Sequence, residues 1–190
     1  MMRKLRLTIG AMLLLAPCWA AAASPEGWFL AGSDRNSYRM ERDTTVTHDG
    51  KGSGLLASVA TSKGFGTMMQ SFEPGEYLGK RARMSAFVKA KDVKRWAGLW
   101  LRVDGKTSEV LSFDNMQDRP IKGTSDWKRQ EIVLDVPGEA TGISMGVLLD
   151  GPGKVWISDV QLNIVDASVP LTGARNTGKH AKPSNLNFDH

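Results

Sequence analysis

Between residues 96 and 159 the chain alternates apolar and polar positions in short runs: WAGLWLRVDG, EVLSFDN, DWKRQEIVLDVP, ISMGVLLDG and KVWISDV. A period of two over four to eight residues is the signature of a half-buried strand. No run leaves room for a long helix. Extended over the whole chain, the pattern predicts ten strands, at 28–31, 37–42, 54–61, 66–72, 82–90, 98–103, 109–115, 128–136, 143–149 and 154–165. Many short strands at this spacing predict an all-β fold, an antiparallel β-sandwich. Such sandwiches bind more often than they transform.

The connections carry turn chemistry: Asp49-Gly50, Pro74-Gly75, Asp104-Gly105, Pro137-Gly138 and Asp150-Gly151-Pro152-Gly153. Glycine supplies positive φ, and proline presets the turn entry without extending a ladder. Asp104-Gly105, between two alternating runs, is the clearest hairpin. Alternation also assigns faces. Leu99, Leu101 and Val103 suit the core against Trp100 and Arg102. By the same rule Leu111 and Phe113 oppose Ser112 and Asp114, and Met84, Ala86 and Val88 oppose Arg83, Ser85 and Phe87. Ile132, Leu134 and Val136 likewise oppose Arg129, Glu131 and Val133.

The first 23 residues have the pattern of an export signal: basic Arg3, Lys4 and Arg6, an apolar run LTIGAMLLLA, Pro17, then small residues from Ala20 to Ala23. An apolar run this short falls below the ~20 residues needed to span a bilayer, so no stable membrane insertion is expected after cleavage. The expected location is periplasmic or secreted. Cys18, the one cysteine, follows Pro17 where a lipoprotein box would want a small residue, and it is expected to leave with the signal. The mature chain then has no disulfide, no thiolate nucleophile and no Cys-ligated metal.

The formal net charge of +5 overstates the basicity of the folded part. Between residues 24 and 166 there are 19 Lys and Arg against 19 Asp and Glu. That balance removes the electrostatic warrant for nucleic acid as a partner. Residues 24–166 suffice for one core and not for two ordinary domains. Residues 167–190, rich in Ser, Pro, Thr, Gly, Asn and Lys, are expected to form a flexible extension.

GWFLAGS near the start, FDNMQDRPIKGTSDWKRQEIVLDVP in the middle and VWISDVQL at the end resemble a galactose-binding-like jelly-roll module, the architecture of several carbohydrate-binding module families. The middle string also resembles an uncharacterised domain attached to varied bacterial hydrolases and regulators. In the closing string Ser158 stands where the module pattern has its first acid, and Asp159 is kept. The resemblance implies a glycan ligand; modules of this architecture often hold a structural calcium where the first and last strands meet, but Ser158 weakens the match and no cofactor is expected. Asp159 is the candidate metal ligand and Glu26 the acid nearest the N-terminus.

A sugar-binding face needs flat aromatics to stack on a pyranose and planar polar groups for paired hydrogen bonds. Gln70, Phe87, Trp100, Arg102 and Asp114 form the candidate set, with Trp100 and Arg102 on one strand and Asp114 on its hairpin partner. The alternative is that Phe87 and Trp100 belong to a second buried layer and Arg102–Asp114 is a structural cross-strand pair. Trp127 and Trp156 are expected to be core aromatics.

Catalysis finds no constellation. Gly142-Ile143-Ser144-Met145-Gly146 fits the G-x-S-x-G pattern but continues as a strand where that motif needs a helix. His48 lies by a turn, and His180 and His190 lie in the tail. The glycine-rich 50–54 run lacks the Walker ending. The tail string Asn185-Leu186-Asn187-Phe188-Asp189 alternates like a strand and is a candidate to complete the sheet, in cis or from a neighbouring chain. The alternative is a disordered remnant. The expected function is therefore an exported, non-catalytic binding module for carbohydrate or cell-envelope glycan. The alternative is a β-sandwich that contacts an envelope protein and takes no sugar.

Overall fold

One strand of 25 residues organises the molecule, whose computed structural model describes residues 23–172. The strands are β1 (Phe29–Ala31), β2 (Tyr38–His48), β3 (Lys51–Ser58), β4 (Phe65–Phe72), β5 (Lys80–Asp104), β6 (Val110–Asp114), β7 (Ile121–Val136), β8 (Gly142–Asp150) and β9 (Lys154–Val165). All pairings between them are antiparallel. The first half of β5 pairs with β9 and β7, and its second half with β8 and β6. One layer is thus β1-β4-β8-β5-β6 and the other β2-β3-β9-β5-β7, joined through β5.

The alternation predicts two strands at 82–90 and 98–103, which the structure fuses. The charged stretch between them keeps an extended backbone and bends through register shifts around Ala90, Val93 and Ala97. Asp92 adopts a left-handed φ of 55° there, a conformation that Asp tolerates. Across the ladder, Gly123 bends beside Val93 with a φ of 70°. The lysines point to solvent while Val93 is buried. Polar side chains there signalled exposure, not a break in the ladder.

The core lies between the layers. Met84, Val88, Ile132, Leu134, Val155 and Ile157 of one layer meet Met68, Leu99, Leu101, Ile143, Val147 and Leu149 of the other. Each such side chain contributes roughly 1.5–3 kcal/mol on burial. The layers approach closely at Gly54 of β3, where an added Cβ would lie 2.7 Å from Met68 Cε of β4, and at Gly66 of β4, where it would lie 2.4 Å from Tyr38 Cγ of β2. A second, smaller cluster of Leu55, Ala57 and Trp156, with Val46 and Trp127 against it, covers part of the outer surface of the β2-β3-β9 layer. Trp156 is therefore buried, as expected, though outside the main core.

Residues just past β9 are held. Arg81 Nη1 donates to the carbonyls of Ala167 and Val169, and Thr172 exchanges bonds with the Val133 backbone. Within the stretch expected to be flexible, Ala167, Val169 and Thr172 are thus hydrogen-bonded to the sandwich. The export signal, Cys18, His180, His190 and the candidate strand at 185–189 lie outside the described residues.

Candidate ligand-binding cleft

The outer face of the β1-β4-β8-β5-β6 layer carries a cleft of about 500 Å³. Register explains its shape. Side chains of one parity along β4, β8 and β5 fall into rows across the sheet: Phe65–Asp150–Trp96, Thr67–Leu148–Gly98, Met69–Gly146–Trp100 and Ser71–Ser144–Arg102. Glycines at 98 and 146 leave two positions of this grid without side chains. At Gly146 the strands approach so closely that a Cβ would sit 2.3 Å from the Met68 carbonyl oxygen. Phe65, Trp96, Trp100 and Phe113 wall the depression, with Met69 and Leu148 between them.

Trp100 is 7% exposed, and its Nε1 donates a 2.7 Å bond to Thr67 Oγ1, which in turn donates to the Val147 carbonyl. The indole is thereby fixed and its polar atom satisfied. Charges sit at the ends as pairs: Arg95 with Asp150 at 2.7 Å, and Arg102 with Asp104 at 3.0 Å. Asn115 lines the same cleft and accepts a bond from the Gln117 N–H through its Oδ1.

Of the residues singled out by sequence, Trp100 and Arg102 meet here and three do not. Gln70 shares its parity with buried Met68 and lies beside Gly27, away from the cleft. Phe87 belongs to the first half of β5 and points out of the other layer, stacked on His48 with ring centroids 3.8 Å apart. Asp114 faces inward at 3% exposure. It binds Arg119 through both oxygens, the Met116 N–H and the Thr172 hydroxyl.

The placement of Asp114 corrects the expected face assignment, with Phe113 as its counterpart. Val103 pairs with Ser112 and Asp104 with Val110, so Leu111 is an extra, bulged residue. A bulge inverts the alternation beyond it. Leu111 packs on the core, and Phe113, opposite Arg102, turns out to the cleft at 48% exposure. The cleft residues that sequence reasoning missed are Phe65, Met69, Trp96, Phe113, Asn115, Leu148 and Asp150. Trp96 was within reach: it shares parity with Trp100, and a continuous β5 would have exposed the match.

A larger hollow of about 660 Å³ lies where β5 begins and β9 ends. It has no aromatic wall, and its Arg81 and Asp135 are engaged with each other at 2.7 Å. Asp159, the candidate metal ligand, is paired with Lys51 at 3.0 Å, and that hydrogen bond holds its carboxyl below the usual range. Among the described residues no group of three His, Cys, Asp or Glu side chains is placed to hold a metal ion. Ser144 of the G-x-S-x-G string sits within β8, hydrogen-bonded to Ser71 at 2.8 Å.

No family model matches the chain. It is 46% identical over 167 residues to the uncharacterized HTH-type transcriptional regulator YbfP of Bacillus subtilis (strain 168), a match covering 86% of this chain and 57% of that protein. The chain thus spans little more than half the length of that relative. The described residues contain strands and two three-residue 3-10 turns, so a helix-turn-helix has no counterpart among them. Among solved structures it is similar to the CBM22-1 xylan-binding domain of Paenibacillus barcinonensis Xyn10C, with TM-score 0.57 and 11% identity, covering 76% of this chain and 90% of that one. It is also similar to TmCBM61 in complex with β-1,4-galactotriose, with TM-score 0.50 and 14% identity, covering 75% and 91%. At these identities the likeness establishes the architecture: the chain is an antiparallel β-sandwich of the jelly-roll kind that carbohydrate-binding modules share.

Proposed function

We propose that this chain is a non-catalytic binding module whose outer-face cleft takes a carbohydrate. The observation that carries the reading is the clustering of four aromatic rings around one depression of the outer face, with Arg102 and Asn115 at its margin. Aromatic faces stack on pyranose rings, and planar polar groups make paired bonds to their substituents. The glycan-binding modules that share the architecture support it. We further read residues 1–23 as an export signal, which would bring the cleft to envelope or external glycans. Nucleic acid and a catalytic role do not belong to this reading, and calcium is not needed by it. No helix among the described residues is long and apolar enough to cross a membrane.

A second reading is favoured by one observation. Phe29, Phe65 and Phe113 are 45%, 38% and 48% exposed on the same face. Exposed apolar surface of this kind also marks protein docking, with an envelope protein as the partner. Affinity electrophoresis of the full chain in gels containing xylan, β-1,4-galactan or solubilised peptidoglycan separates the two. Retardation that Trp96→Ala abolishes supports the glycan reading. Unchanged mobility in every gel, with both proteins folded, removes it.

A further inference from the structure

Phe113 and Asn115 bring one wall of the cleft, and that wall stands on a short strand. β6 has five residues and, among the described residues, ladders only with β5. Leu111 and Met116 anchor the two ends of the stretch in the core. Between them, the side away from β5 is tied to β7 by side chains. Ser112 Oγ donates to the Asp135 carbonyl at 2.8 Å. Asp114, between the two cleft residues, turns inward and reaches β7 by way of Thr172. The Thr172 hydroxyl donates to Asp114 Oδ2 at 2.7 Å and accepts the Val133 N–H at 2.7 Å, while the Thr172 N–H donates to the Val133 carbonyl at 3.0 Å.

The other partners of Asp114 are close in sequence. The Met116 N–H and the Arg119 guanidinium belong to the turn that follows β6 and move with it, apart from a 3.4 Å contact of Arg119 with the Glu131 carbonyl. Thr172 comes from beyond β9, on a segment that Arg81 holds through the Ala167 and Val169 carbonyls. It does not itself line the cleft. Successive side chains on a strand point to opposite faces, so a rotation of β6 that releases Asp114 displaces Phe113 and Asn115 together. Resting on the glycan reading for what this wall meets, we infer that Thr172 is a positioning residue of the cleft, acting through Asp114 on Phe113 and Asn115.

Thr172→Val in the full chain tests it, because valine keeps the shape and removes both hydroxyl bonds. In NMR spectra without carbohydrate, the Phe113 ring and Asn115 side-chain amide resonances should move, while the Trp100 indole N–H, held by Thr67, should stay. Retention in whichever polysaccharide gel retards the wild type should weaken about tenfold, the equivalent of one well-made polar contact. Thr172→Ser should restore both readouts. Unmoved Phe113 and Asn115 resonances overturn the inference even if the melting temperature falls, since a merely structural bond predicts that result. Moved resonances with undiminished retention also overturn it and leave the glycan reading standing. If no gel retards the wild type, the glycan reading falls, and the spectra alone decide whether Thr172 sets the wall.

Discussion

Trp100 Nε1 donates a 2.7 Å hydrogen bond to Thr67 Oγ1, tying β5 to β4 across the intervening β8. The bond sets the plane of one cleft wall and satisfies an indole N–H that is otherwise out of water. Thr67→Val keeps the shape and removes the acceptor. It should cost about 1–3 kcal/mol in urea unfolding and shift the tryptophan emission, whereas Thr67→Ser should stay near wild type. An unchanged unfolding midpoint in the valine variant would show that the bond contributes nothing.

Gly146 is required by closeness of backbone, since a Cβ would lie 2.3 Å from the Met68 oxygen and 3.0 Å from Met69 Cα. Neither atom is the mobile end of a side chain. Gly146→Ala should therefore push β4 from β8 at a cost of about 1–3 kcal/mol. Thermal melting reads the cost. Amide exchange should show faster opening at Thr67–Met69, next to the Met68 carbonyl, if the strain is local.

Phe113 should behave in the opposite way. At 48% exposure it supports little of the fold, so Phe113→Ala is expected within about 0.5 kcal/mol of wild type. The same change should weaken retention in whichever polysaccharide gel retards the wild type. A large loss of stability would mean the ring is a packing element.

Asp114 is a structural charge, held by Arg119, Thr172 and the Met116 N–H. Asp114→Asn leaves the Arg119 guanidinium with the exposed Asp118 as its counter-charge and a neutral amide in place of the buried carboxylate. The expected loss is about 2 kcal/mol, reduced from the fully buried case because Arg119 is partly in water. A double-mutant cycle with Arg119→Met should return a coupling of similar size. Independent, additive effects would contradict the contact.

Acid should weaken the fold through Asp43. Burial raises its pKa, but hydrogen bonds from the Val46 N–H, Trp156 Nε1 and the Thr45 hydroxyl and N–H outweigh that, lowering it from 3.8 to about 2. A carboxyl whose folded pKa is depressed contributes stability above its unfolded value and loses it as pH falls. The loss should run from near pH 4 down to about pH 2. Asp43→Asn should be less stable than wild type at neutral pH and flatter across that window. Parallel pH profiles for the two proteins would rule the linkage out.

The alternating pattern by itself determined the β class, most strand positions and the inward set Leu99, Leu101 and Val103, because a period of two is local to each strand. It also placed the Asp49-Gly50 turn, where both residues take positive φ between β2 and β3. Tertiary structure decided what shares a surface. Phe87 and Trp100 lie on one strand with the same outward habit, yet β5 crosses from one layer to the other between them and sends them to opposite outer faces. A single bulged residue, Leu111, exchanged the places of Phe113 and Asp114. Both outcomes depend on pairing with distant strands, which no local period encodes, and the cleft exists because of them.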